Sequence, residues 1–475
     1  MHIATLVLTL DFHLCFPPAS WCAEGLVGGV VVGWETFLMV FVNQVADVTC
    51  YDNGTHSPFP DPRRWPSTTA EEWDLVCQNR WMLTLVDSLF FVGWFFGDGI
   101  FGWMADRYGR RPAFWGSILF TSVCGALSAL IPWYSLYAIA RFLTGVGTGG
   151  AATTNFVLGI EFMPPKVRSV VGCLYNGCFA LGVLVFVPLA YATPSWRLLC
   201  LVTTIPGFAV FAFFPYIFES PRYFLVMGRR EEAASTLSAV GTINAGRGQS
   251  SWAVAVTADQ LEFHEGSGEA GNIADLFSAT LRRRVAVMFY AWITASLVYY
   301  GLSLNISNLD TDLYVATCIS ASVEFLGCVA GAVVITRFGR RPGMLSSMIL
   351  AGLCCLSFVF LGDSTAGIAL SMVGKFGISA SYAIAYIYGC ELTPTSLRGL
   401  ALGFFSQGGR IGSIAAPFIV LAGQNNIITP YIVFSVMALV ASAAVLLLPE
   451  TRNAPLSDVK AAGPGTDEKE PLLEK

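Results

Sequence analysis

The chain has 475 residues, of which 55% are hydrophobic and only 12% charged, with a mean hydropathy of +0.62. Soluble domains carry about 25% charged residues, so a water-facing globule is excluded. A net charge of −5 and a pI near 5.5 leave no basic footprint for nucleic acid.

Crossing the hydrocarbon takes roughly 20 apolar residues in a helix, and only helices or closed barrels satisfy their backbone there. The apolar runs are helix-length without alternation, which points to an all-α membrane protein. Residues 1–24 form a leader whose apolar stretch, Ile3 to Leu10, is too short to span and lacks a preceding Lys or Arg. Six spans follow within residues 25–218: Leu26 to Ala46, Met82 to Ala105, Pro112 to Ile131, Ser135 to Ile160, Val170 to Tyr191 and Arg197 to Phe218. A polar linker, 219–284, precedes six more within 285–449: Val285 to Asn305, Leu313 to Thr336, Pro342 to Leu361, Ala366 to Tyr388, Leu400 to Ala422 and Pro430 to Leu448. Residues 450–475 are expected to be a disordered tail.

The basic residues of the short loops fall on one side, at Arg107, Arg110, Arg111, Lys166, Arg168, Arg337, Arg340, Arg341 and Arg398. The positive-inside rule places that side and both termini in the cytosol. The loop 47–80 then faces outward and carries the glycosylation acceptor Asn53-Gly54-Thr55; a second acceptor, Asn305-Ile306-Ser307, ends the seventh span. Cys50 and Cys77 lie in the same outer loop, where a disulfide is chemically permitted, with Cys15 and Cys22 as competitors. The other cysteines sit mostly singly in apolar segments without zinc-ligand spacing, so neither a metal nor a cofactor is expected.

Asp106-Arg107-Tyr108-Gly109-Arg110-Arg111-Pro112 recurs as Thr336-Arg337-Phe338-Gly339-Arg340-Arg341-Pro342, with Arg107 and Arg337 standing 230 residues apart. Glu161, Pro164 and Arg168 recur in the same register as Glu391, Pro394 and Arg398. Glu219-Ser220-Pro221-Arg222 and Glu450-Thr451-Arg452 close the two segments. The pattern reads as two related six-helix halves in parallel orientation. Charges at cytosolic helix ends either anchor topology or form gating pairs that break when that face opens; Asp106, Arg107, Arg110, Arg111, Glu161, Arg168, Arg337, Arg340, Glu391 and Arg398 are the gating candidates. Thr336 in place of an acid weakens the second copy.

A charge in the bilayer core costs roughly 2.5–3.5 kcal/mol or more, so each one there needs a reason. Glu35, Asp87, Asp98, Glu324, Lys375 and Arg410 qualify. Arg410 or Lys375 either meets a substrate or is neutralised by Glu324 or Asp87; Glu35, Asp87 and Asp98 are candidates for ion coupling. His13, His56 and His264 lie outside the spans, and no Ser/His/Asp set or paired-His spacing lies within them, which argues against an enzyme. A receptor usually has seven spans and no repeated halves.

The loop Gly102-Trp103-Met104-Ala105-Asp106-Arg107-Tyr108-Gly109-Arg110-Arg111 resembles the signature of the major facilitator superfamily, and Glu219-Ser220-Pro221-Arg222 resembles an ending shared by its sugar-porter and organic-ion branches. Tyr299-Tyr300-Gly301-Leu302-Ser303-Leu304-Asn305, Glu391-Leu392-Thr393-Pro394-Thr395-Ser396-Leu397-Arg398-Gly399 and Gly409-Arg410-Ile411-Gly412-Ser413-Ile414-Ala415-Ala416-Pro417 are together similar to the organic cation/carnitine and organic anion transporter family. The resemblance spans Trp34 to Arg452 and implies twelve transmembrane helices in two six-helix pseudo-repeats. It further implies alternating access for a small organic ion, with protons or a counter-transported ion as coupling partner.

By that resemblance Arg410 and Lys375 stand where organic anion transporters carry substrate-contacting bases; cation-carrying members place an acid at the first. Glu324 matches an acid of the organic cation members, which keeps cation or carnitine transport as the alternative. Tyr299, Tyr300, Phe156, Asn176 and Phe179 are the implied pocket residues. The seventh span lacks the paired glutamines of sugar porters, which ranks a sugar third. Glu468-Lys469-Glu470-Pro471-Leu472-Leu473 resembles an acidic dileucine sorting signal, so the expected site is the plasma membrane, or an endosomal or vacuolar membrane where that signal is used.

Overall fold

A computed structural model describes residues 19–45, 57, 67–162, 165–211, 217–245, 273–279, 281–309, 311–394, 397–424 and 426–452. Cys50, Asn53 and the tail signal lie outside the described residues, as does the side chain of Arg168. Twelve long helices carry the fold: α1 (Ala19–Val42), α2 (Trp81–Tyr108), α3 (Arg110–Leu130), α4 (Tyr134–Glu161), α5 (Pro165–Ala192), α6 (Trp196–Ala209), α7 (Arg282–Leu304), α8 (Leu313–Arg337), α9 (Arg340–Leu361), α10 (Thr365–Glu391), α11 (Arg398–Ala422) and α12 (Ile428–Val445). No named strand occurs among the described residues; one isolated bridge joins Ser67 and Ser195.

Two boundaries differ most from the apolar runs. Helix α1 begins at Ala19, inside the expected leader, because Ala-Ser-Trp-Cys-Ala-Glu contains no helix breaker. Helix α6 ends at Ala209, nine residues before Phe218, just beyond Pro206. The linker is not wholly irregular: helices Pro221–Val226 and Arg230–Ala245 lie in it.

Eight helices are long and apolar enough to cross a membrane, and the helical stretches Gly28–Val42 and Trp196–Ala209 are shorter and apolar. Helices α4 and α11 are long but more polar, with Arg141 and Arg410 within them. Lipid tails are as apolar as leucine, so helices in a bilayer associate through close packing of small residues. The contact of α2 with α4 shows this: Gly93 and Gly97 meet the Phe142 and Val146 carbonyls, and Gly145 meets that of Phe90, each too near for a Cβ.

On the outer side, Trp73 packs among Tyr134, Tyr137 and Trp196 at 5.9, 4.9 and 5.4 Å between ring centroids. Glu72 accepts hydrogen bonds from Trp196 and Arg197, and Cys77 is disulfide-bonded. This end of the outer loop is thereby fixed to α4 and α6.

The arginine-rich loops build two matching cages. In the first half the Arg110 guanidinium lies 3.3 Å from Glu161 and 3.2 Å from Asp106, while Glu219 accepts the backbone N–H groups of Arg110 and Arg111 at 3.0 and 3.1 Å. In the second, Arg340 makes a two-pronged pair with Glu391, both bonds 2.8 Å, and Glu450 accepts the N–H groups of Arg340 and Arg341 at 2.9 and 3.0 Å. Thr336 turns its hydroxyl to the Ala332 carbonyl instead of to Arg340. Gly109 and Gly339 (φ +110° and +106°) form the α2–α3 and α8–α9 corners, where an added Cβ would strike Glu219 and Glu450 respectively. The Arg107 and Arg337 carbonyls accept from Tyr223 and Arg452, and Arg398 donates to the Cys390 carbonyl at 2.9 Å.

Burial acts to raise the Glu450 carboxyl, but the N–H groups of Arg340, Arg452, Arg341 and Thr451 outweigh it and hold the group below the usual range. For Glu219, burial outweighs three such donors and leaves the carboxyl raised. A lowered folded-state value gives stability that is present above the unfolded value and lost as pH falls through the folded one. Glu450→Gln is therefore expected to lower the unfolding midpoint in detergent at neutral pH by the equivalent of about 1–3 kcal/mol, with the gap from the parent closing as pH falls below the carboxylate range. Gly145→Val is expected to abolish the monodisperse peak on size exclusion in mild detergent, whereas Gly99→Val, with open space at its Cβ, keeps it.

Candidate functional site

Between the halves lies a cavity of about 960 Å³. Its walls run from Tyr299, Tyr300 and Glu324 at mid-span to Asp106, Arg110, Glu161, Gly399 and Leu400 at the arginine-rich loop ends, so it opens toward the arginine-rich side. On the opposite side the halves touch. Tyr314 on α8 packs on Phe41 and Tyr191 at 5.5 and 5.2 Å, Phe91 on Tyr300 at 4.7 Å, and the Ser88 hydroxyl donates to the Ile414 carbonyl at 3.2 Å.

Arg410, midway along α11, projects into this cavity, 2.9 Å from Asp98 on α2 and 4.2 Å above the Trp94 ring. Asp98 also accepts from Thr153 at 2.7 Å. This ion pair joins the two halves. Tyr299, Tyr300, Glu324, Phe156, Asn176 and Phe179 line the cavity.

Lys375 does not reach the cavity. It is 1% exposed and lies behind Tyr299, its Nζ 3.5 Å from that ring's centroid, 3.6 Å from Glu324 and hydrogen-bonded to Ser303. Glu324 in turn accepts from the Tyr299 hydroxyl at 2.6 Å. Lysine and glutamate neutralise each other, which is the internal pairing left open by the sequence.

The acids listed for ion coupling separate. Glu35 pairs with Arg141 at 2.9 Å, both 1% exposed or less, inside the first half. Asp87 lies in a small outer chamber with Arg80, accepting from Asn43 at 2.6 Å. Asp98 belongs to the main cavity.

Sequence reasoning missed Arg141, although an arginine inside the Ser135 to Ile160 run was itself the signal. It also missed Trp94, Tyr382 and Tyr386. The last two stand four residues apart on one face of α10, with Tyr382 stacked on Tyr299 at 5.8 Å and Tyr386 against Phe156 at 5.1 Å. Trp94 Nε1, Ser379 Oγ and Gln407 Oε1, on residues of the cavity wall, have no hydrogen-bond partner. The site thus offers aromatic faces, one guanidinium at mid-span and a few open polar atoms. It suits a flat organic ion and brings together no nucleophile with a base; no metal-holding cluster occurs among the described residues.

The sugar (and other) transporter family model matches residues 21–462. Organic cation/carnitine transporter 4 of Arabidopsis thaliana is 33% identical over 466 residues, 94% of this chain and 86% of that protein. Solute carrier family 22 member 6 of Mus musculus is 33% identical over 413 residues, 86% and 74% of the two chains. Among solved structures, the xylose transporter XylE of E. coli in an inward-open conformation superposes with a TM-score of 0.66 at 16% identity, covering 91% of this chain and 97% of that one. The human organic anion transporter MFSD10 gives 0.62 at 14% identity, covering 90% and 100%.

Breaking one partner of a buried ion pair leaves a bare charge and costs about 3–5 kcal/mol. Glu35→Leu is expected to lower the unfolding midpoint sharply, and Glu35→Leu with Arg141→Met to recover most of the loss, read by thermal unfolding in detergent.

Proposed function

The chain belongs to the sugar (and other) transporter family of the major facilitator superfamily, alongside the organic cation/carnitine and solute carrier 22 transporters, and on that premise we propose that it carries small organic anions across a cell membrane. Members of this superfamily work by alternating access: the halves rock about a central site and expose it to one side and then the other. The inward-facing cavity, sealed outside by Tyr314, Phe41 and Tyr191, is one end state of that cycle.

The observation that carries the anion reading is Arg410. It is the cation that lines the middle of the cavity, whereas Lys375 is withdrawn behind Tyr299 and neutralised by Glu324. The preference, which the sequence rested on both residues, narrows to one. Trp94, Tyr300 and Tyr382 supply faces for a flat apolar body, and a guanidinium held at an aromatic wall recognises carboxylate or sulfonate geometry. Glu324 and Asp98 at the same wall favour the second reading, transport of an organic cation or carnitine-like ion. The plasma membrane is the proposed location, and the cytosolic cages, intact beside the open cavity, are proposed to brace each half.

Purified protein in liposomes preloaded with unlabelled naphthalene-1-sulfonate is expected to accumulate the radiolabelled anion by counterflow, and Arg410→Ala to lose at least 90% of that rate, a transition-state cost of about 1.4 kcal/mol. Counterflow of tetraethylammonium but not of the sulfonate overturns the anion reading in favour of the second.

A further inference from the structure

The base assigned to the substrate already has an anion. Asp98 holds Arg410 at 2.9 Å, with both side chains 5% exposed, and a second oxygen of the same carboxylate is anchored by Thr153. Asp98 occupies the Nε edge of the guanidinium, and a substrate anion that takes that edge two-pronged displaces it. We propose that Asp98 is a built-in competitor for the substrate and the proton carrier of the cycle, so that each organic anion crosses with a proton. This rests on the anion reading of the cavity.

The argument is charge conservation in a low-dielectric site. A buried Arg410 without an anion is unstable, so the unloaded carrier rocks with Asp98 paired to it, the pair that joins the halves at 2.9 Å. When a substrate carboxylate or sulfonate takes Arg410, Asp98 is left without a counter-charge, and closing the cavity over it in that form is costly. A proton from the outer water binds its free oxygen and removes that cost. After rocking, the substrate leaves to the cytosol, the proton leaves Asp98 through the same opening, and Asp98 returns to Arg410. One proton and one monoanion move together, with no net charge transferred.

No other group facing Asp98 serves as readily. Of the helices packed against α2, α4 carries Arg141, committed to Glu35, and Glu161, committed to Arg110 of α3. Arg111 and Arg398 lie at the cytosolic ends of α3 and α11. Tyr300 of α7 and Tyr382 and Tyr386 of α10 line the same cavity, as does Glu324, which is paired with Lys375. The pair is also placed to sense rocking, since α2 and α11 belong to different halves.

The test uses proteoliposomes of the full chain with pyranine trapped inside and radiolabelled naphthalene-1-sulfonate as probe, whose charge does not titrate. In the parent, an imposed acid-outside gradient is expected to concentrate the sulfonate, and its entry to acidify the lumen with equal proton and anion fluxes. Asp98→Asn is expected to keep sulfonate counterflow with a several-fold lower apparent KM, because the competitor is gone, and to lose both pH-driven accumulation and lumen acidification. Sulfonate-coupled proton movement that persists in Asp98→Asn overturns the proposal, as does net sulfonate entry into parent liposomes without proton movement; in both cases the anion reading stands. Loss of counterflow in both Asp98→Asn and Asp98→Ser, with monodisperse protein, overturns it too, since a neutral side chain must suffice for exchange. A chain that exchanges tetraethylammonium and not the sulfonate fails the anion reading itself.

Discussion

A full charge inside hydrocarbon needs a counter-charge supplied by the same chain, and the arrangement of three such pairs organises this molecule. Glu35 with Arg141 ties α1 to α4, and Glu324 with Lys375 ties α8 to α10. Each of these joins helices of one half. Asp98 with Arg410 ties α2 to α11 and so crosses between halves. Rocking therefore leaves the first two pairs undisturbed and acts on the third, whose two side chains both line the cavity.

The cytosolic cages follow the same division. Arg110 gathers Asp106 and Glu161 within the first half, and Arg340 gathers Glu391 within the second, each beneath a carboxylate that caps the next helix. Carboxylates at helix N-termini interact with both the free N–H groups and the helix dipole. In the cytosol-open state these cages are intact and bind helices within their own half. They stiffen each half into a body that rocks as a unit, while the seal between halves outside is mostly aromatic and can separate without stranding a charge.

The helices and the repeat were legible because both are written in spacing. Apolar runs of fixed length name the spans, and Arg107 and Arg337 stand in one register with Glu161 and Glu391. Glu219 and Glu450 read as endings of the halves, and their role as caps of α3 and α9 needed the fold. The site was half legible. Sequence gives the residue type and the helix that carries it, but the face it presents depends on how neighbours pack. Lys375 and Arg410 look alike as buried bases, yet one is screened by Tyr299 and the other lines the cavity. The same limit concealed which acid meets which base: Asp98 was an ion-coupling candidate and proved to be the partner of Arg410.

Breadth and direction of recognition come from different parts of the cavity. Aromatic faces of Trp94, Phe156, Tyr300 and Tyr382 accept many flat bodies, and an extra methylene against such walls changes affinity by only about 1–3 kcal/mol. Charge discriminates more strongly. A cation brought beside Arg410 repels it and leaves Asp98 engaged, whereas an anion replaces Asp98 with a group of the same charge and similar geometry. Within one charge class the open atoms of Trp94, Ser379 and Gln407 decide, since a substrate that leaves them unpaired gains less than one that bonds them. On the proposed anion reading, a carrier built this way is permissive in shape and selective in sign.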